Sequence, residues 1–124
     1  GSETVLVAED EPMVRHVAVR VLKHFGYTVL EAENGVEALQ VAAQFDGDIH
    51  VLFTDMVMPE MDGKELAENL VKERPGIKVI FTSGYSADKL AETGIDLTGG
   101  AFIQKPFNRQ AVGRVVREVL ESGE

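Results

Sequence analysis

Thr4-Val5-Leu6-Val7-Ala8-Glu9-Asp10-Glu11-Pro12 is the stretch that decides the fold. An unbroken run of apolar and β-branched residues is followed by three acids, and a proline opens the next segment. So continuous a run suits a strand buried on both faces, as in a parallel sheet, better than a half-exposed antiparallel one. Beyond it, Val14, Val17, Ala18, Val21, Leu22 and Phe25 fall on one helical face, with Pro12 in the first turn and Gly26 just past the end. The segment is one strand–helix unit.

The alternation recurs along the rest of the chain. Further strand-like runs are Tyr27–Leu30, Val51–Thr54, Val79–Thr82 and Ala101–Ile103. Asn34 with Glu37, and Asp62 with Glu65, have the spacing of helix-capping pairs. The first precedes an apolar stripe of Val36, Leu39, Ala42 and Ala43; the second precedes Leu66, Leu70 and Val71 and is stopped at Arg74-Pro75-Gly76. A fourth helix, near Ser86 to Thr93, is short and poor in apolar residues, which predicts weak packing and mobility. Asn108 caps the last helix, where Val112, Val115, Val116, Val119 and Leu120 follow helical spacing. Five βα units with right-handed crossovers predict an α/β, flavodoxin-like (βα)5 doubly wound fold. Its five-stranded parallel sheet runs in order 2-1-3-4-5 with helices on both faces.

The 124 residues carry 21 acidic and 12 basic side chains, a formal net charge of −9, and no cysteine. This length suits one domain able to bury a core without disulfides. The absence of cysteine excludes thiol catalysis and zinc knuckles and favours a reducing, intracellular home. The acidity argues against direct nucleic-acid binding, which needs a basic patch. No apolar run approaches the length of a membrane span, so no membrane contact is expected of this domain. Gly1-Ser2 reads as a cloning scar, leaving a domain over residues 3–122.

In a doubly wound sheet, chemistry collects at the carboxyl ends of the strands. Glu9-Asp10-Glu11 follow strand one, Asp55 strand three, Ser83-Gly84 strand four and Lys105-Pro106 strand five; the end of strand two has no such group. One acid at such a place is commonly a solvated loop residue or a cap. Three converging carboxylates are different, because two charges ~4 Å apart repel by about 4 kcal/mol at an effective dielectric near 20. They call for a cation, and hard oxygen ligands without His or Cys suggest Mg²⁺. Lys105 adds a second positive group.

Together Glu9-Asp10, Asp55-Met56-Val57-Met58-Pro59 with Asp62-Gly63, Ser83-Gly84 and Lys105-Pro106-Phe107 make the chain resemble the receiver domains of two-component signalling. The resemblance implies that Asp55 is the phosphoacceptor, taking a phosphoryl group from a phosphohistidine. It also implies that Asp10 and Asp55 ligate Mg²⁺, that Glu9 contributes directly or through water, and that the Val57 carbonyl completes the set. Ser83 and Lys105 would hold phosphoryl oxygens, and Ser83 with Phe102 would form the switch. Glu9 replaces a more usual aspartate, and Phe102 lacks a phenolic hydroxyl, so a switch there is steric. Thr82 is a rival to Ser83, which is preferred for its spacing to Lys105.

The implied partners are a histidine kinase or a histidine phosphotransfer domain, and a homodimer through helix 4, strand 5 and helix 5 is left open. The segments around Ser83 and Lys105 resemble receivers of hybrid sensor histidine kinases. The expected setting is therefore cytoplasmic, with the parent protein free to be membrane-anchored. A single-domain response regulator and a phosphorylation-independent interaction module are the alternatives. Whether the chain counts as an enzyme is left open, since the resemblance implies that the domain promotes its own phosphorylation and dephosphorylation. It also implies a cis Lys105-Pro106 bond. A stand-alone aspartyl phosphatase would want a second acid two residues after Asp55, where Val57 stands.

Three other groups have plainer readings. His16, His24 and His50 read as surface histidines. Thr98-Gly99-Gly100 reads as a turn before strand five, not a phosphate cradle. Met56, Met58 and Met61 either line a partner groove or pack the loop after strand three.

Overall fold

The computed structural model describes residues 2–92 and 100–121. The strands are β1 (Thr4–Ala8), β2 (Thr28–Ala32), β3 (Val51–Asp55), β4 (Lys78–Ser83) and β5 (Ala101–Gln104). Between and after them lie α1 (Pro12–His24), α2 (Gly35–Gln44), α3 (Gly63–Glu73), α4 (Ala87–Glu92) and α5 (Arg109–Glu121). All five strands are parallel, in order β2-β1-β3-β4-β5. None of the described helices is long and apolar enough to cross a membrane.

Side-chain alternation divides the core between the two faces of the sheet. Val5 and Val7 of β1, Val51 and Phe53 of β3 and Ile80 of β4 pack with Ala18 and Leu22 of α1 and Val112 and Val116 of α5. Leu6, Leu52 and Phe81 face the other way, against Ala38 and Ala42 of α2, Leu66 and Leu70 of α3 and Leu90 of α4. Parallel strands covered on both faces must be apolar at successive positions, and β1 and β3 are buried throughout.

The edge strands differ from the sequence expectation. In β2 only Ala32 is buried, and in β5 only Ile103, because each has a neighbour on one side alone. Register also shifts β2 from its apolar run: Thr28 to Ala32 pair with Thr4 to Ala8, so Glu31 joins the strand and buried Tyr27 precedes it.

The helix stripes are narrower than the sequence suggests. Val17, Val36 and Val71 are 45%, 43% and 41% exposed, and Ala43 is exposed too. Val19 is buried in place of Val17, since the helix packs along Ala18, Val19 and Leu22. The helix starts follow the local signals. Asn34 Oδ1 accepts from Glu37 N (2.7 Å), Asp62 Oδ1 from Glu65 N (2.8 Å) and Asn108 Oδ1 from Ala111 N (2.7 Å). In α4, Ser86 Oγ accepts from Lys89 N, and Leu90 is buried. The expected end of that helix at Thr93 and the Thr98-Gly99 part of the expected turn lie outside the described residues.

His16 and His24 are exposed as expected, but His50 is not a simple surface residue. Its Nδ1 accepts from Thr4 N (3.0 Å), its N–H donates to Thr4 O and its carbonyl accepts from Lys78 N, stitching together the starts of β1, β3 and β4. Met56 and Met58 are buried, which favours the loop-packing reading.

Candidate functional site

Strand order reverses beside β1, so the ends of β1 and β3 open into one crevice. Glu9 follows the last residue of β1 and Asp55 ends β3, which brings Glu9, Asp10 and Asp55 together. Each offers a carboxylate oxygen, and these oxygens lie within 4.8 Å of one another. Glu9 and Asp55 are buried, while Asp10 is half-buried.

Lys105, one residue beyond β5, reaches into this cluster. Its Nζ is 2.8 Å from Glu9 Oε1 and 3.0 Å from Asp55 Oδ2. Burial alone would lower the pKa of the ammonium, but the hydrogen bonds and charges of Glu9 and Asp55 outweigh it and hold the pKa above the usual lysine value. Glu9 shifts upward as well. Burial is the larger cause, reinforced by the charge of Asp55 and opposed by hydrogen bonds from Lys105 and from the Glu11 N–H (3.0 Å). One lysine thus shares its charge between two buried carboxylates.

The loop after β3 is shaped closely around Asp55. Val57 N donates a long hydrogen bond to Asp55 Oδ1 (3.3 Å), and the Val57 side chain is exposed. Glu60 has φ 71°, and Met61 N donates to Pro59 O across it (2.7 Å), a tight turn that L-residues rarely adopt. Gly63 N donates to Met56 O, and a Cβ on Gly63 would fall 2.1 Å from Asp55 O. Only glycine lets α3 start this close to the strand end.

Ser83 ends β4 and is buried; its Oγ accepts from Tyr85 N (3.0 Å), and its carbonyl accepts from Lys105 N (2.7 Å). Thr82, also buried, is the register partner of Asp55. The Lys105–Pro106 bond is cis. Phe102 is half-buried against the α2–α3 side of the core. Beside Lys105 an apolar cleft of about 490 Å³ is lined by Met13, Val14, Val17, Gly84, Pro106 and Phe107, which explains where the exposed valine of α1 lies.

All the strand-end residues singled out in the sequence lie at the carboxyl end of the sheet. Sequence reasoning missed Arg15. Its Nη1 donates to Glu9 O (2.8 Å), and its Nε lies 3.5 Å from Glu31 Oε1. Neither spacing nor periodicity pointed to it, because Arg15 on α1 and Glu31 of β2 meet only once β2 has paired with β1.

Residues 5–117 match the family model for the response regulator receiver domain. The chain belongs to that family. The receiver domain is 45% identical over 121 residues to the sensor kinase CckA of Brucella abortus (strain 2308), covering 98% of this chain but 13% of the relative's length. It is 31% identical over 116 residues to the response regulator receiver protein CpdR of the same organism, covering 94% of this chain and 95% of that one. Among solved structures, the receiver domain of the hybrid histidine kinase CckA superposes with a TM-score of 0.74 at 36% identity, covering 94% of this chain and 98% of that chain. Receiver domains of two-component signalling take part in phosphoryl transfer with histidine kinases or phosphotransfer partners, and they bind Mg²⁺ at an acidic pocket. Glu9, Asp10 and Asp55 form an acidic cluster whose hard, all-oxygen donors fit that ion.

Proposed function

We propose that Asp55 accepts a phosphoryl group from a phosphohistidine, within a receiver domain spanning residues 3–122. The observation that carries this reading is the buried Asp55 carboxylate 3.0 Å from Lys105 Nζ and grouped with Glu9 and Asp10. A carboxylate oxygen of Asp55 forms the new O–P bond as the N–P bond to the donor breaks and the imidazole departs with that electron pair. Such a transfer depends mainly on placement and charge neutralisation.

Asp10, Asp55 and the Val57 carbonyl would hold Mg²⁺, with Glu9 contributing directly or through water; the ion supplies neutralising charge to the phosphoryl oxygens. Lys105 neutralises a further oxygen. Ser83 turns its hydroxyl from the Tyr85 N–H towards a phosphoryl oxygen, giving a contact made only in the modified state. Phe102 then changes its packing, and the face formed by α4, β5 and α5 changes with it.

The greater likeness to a sensor kinase than to the receiver protein CpdR, 45% against 31%, supports an origin in a hybrid sensor histidine kinase, and on that reading the domain acts in the cytoplasm. The test is intact-mass spectrometry after incubation with a small phosphodonor, with and without Mg²⁺. One Mg²⁺-dependent phosphoryl group is expected on the parent chain and none on Asp55→Asn. Equal labelling of that variant overturns the reading.

A further inference from the structure

In the sequence the end of β2 carries no chemistry, yet Arg15 joins it to the site. The Glu9 N–H donates to Ala32 O (3.1 Å), so β2 holds one side of the Glu9 peptide directly. Arg15 holds the other side, donating from Nη1 to Glu9 O (2.8 Å) while its Nε faces Glu31 Oε1 of β2 at 3.5 Å. The Arg15 side chain is only 18% exposed. Its backbone N–H also donates to Glu11 O (2.9 Å), closing the first turn of α1 beneath the acids.

We infer that Arg15 is a positioning residue for the metal site, with Glu31 orienting its guanidinium. By pinning the Glu9 carbonyl, it fixes the β1–α1 turn from which Glu9 and Asp10 extend towards Asp55. A planar guanidinium offers donors in fixed directions and can engage a carbonyl and a carboxylate together; a lysine ammonium lacks that fork. The inference rests on the Mg²⁺ reading above.

Charge and positioning predict opposite results. Removing a cation near three carboxylates would, by Coulomb's law alone, strengthen Mg²⁺ binding. Loosening an outer-shell partner of metal ligands weakens binding, commonly about 10-fold or more.

The test titrates Mg²⁺ into the ¹⁵N-labelled parent, Arg15→Lys and the charge-balanced double variant Arg15→Met/Glu31→Gln, following amide shifts, with thermal unfolding in EDTA alongside. The double variant is expected to bind about 10-fold more weakly, with Arg15→Lys between it and the parent. Affinity equal to the parent's or tighter overturns the inference, as does a lower melting temperature with unchanged affinity. If the double variant does not fold, Arg15→Lys decides by the same criterion. A parent that shows no saturable Mg²⁺ shifts overturns the metal reading itself, whereas a binding parent with unaffected variants overturns only the role of Arg15.

Discussion

Lys105 and Asp55 are 50 residues apart in the chain and 3.0 Å apart between Nζ and Oδ2. The same ammonium reaches Glu9 at 2.8 Å, so it partly offsets the mutual repulsion of two buried carboxylates. Lys105→Met should lower the rate of phosphoryl uptake from a small donor by about 100-fold, the usual scale for losing one preorganised donor to a developing charge. Stopped-time mass spectrometry would measure it; a rate within threefold of the parent's would count against the assigned role.

Glu9 gives the site a pH dependence whose sign follows from its raised pKa, caused first by burial. A carboxyl that holds its proton more firmly when folded favours folding below its unfolded pKa and loses that contribution as pH rises through the folded value. With Mg²⁺ chelated, Glu9→Gln should therefore melt higher than the parent at neutral pH. The gap should close below about pH 4.3, where both side chains are neutral. With saturating Mg²⁺ the parent should gain more stability than the variant. Calorimetry at several pH values checks this, and a lower melting temperature for Glu9→Gln in EDTA at pH 7 would sink the argument.

Ser83 should separate chemistry from switching. Ser83→Ala loses the hydrogen bond with Tyr85 N and is expected to cost about 1 kcal/mol, to fold and to bind Mg²⁺ as the parent does. It should still acquire a phosphoryl group, but the ring resonances of Phe102 should no longer change on phosphorylation. A full Phe102 response in the variant would transfer the switch role elsewhere, with Thr82 the first candidate.

Gly63 tests the shape of the loop. Because a Cβ there would meet Asp55 O at 2.1 Å, Gly63→Ala forces the start of α3 away from the strand. A loss of about 2 kcal/mol is expected from this overpacking. Denaturant unfolding measures it, and an unchanged midpoint would mean that the loop yields freely.

The sequence by itself determined the five βα units, the parallel sheet and the strand ends where chemistry gathers. Those signals are local: an apolar run such as Val51–Thr54 reports burial on both faces, and Asn34, Asp62 and Asn108 need only the N–H three residues ahead. The tertiary structure decided what depends on pairing between elements. Edge position left β2 and β5 part-exposed, and the line of packing chose Val19 over Val17. Arg74 reaches back to the carbonyls of Ala42, Phe45 and Gly47, and His50 accepts from Thr4. The clamp of Arg15 on Glu9 and Glu31 is of the same kind. Each arises where side chain and partner meet only after the sheet has assembled, so neither periodicity nor spacing in the sequence encodes it.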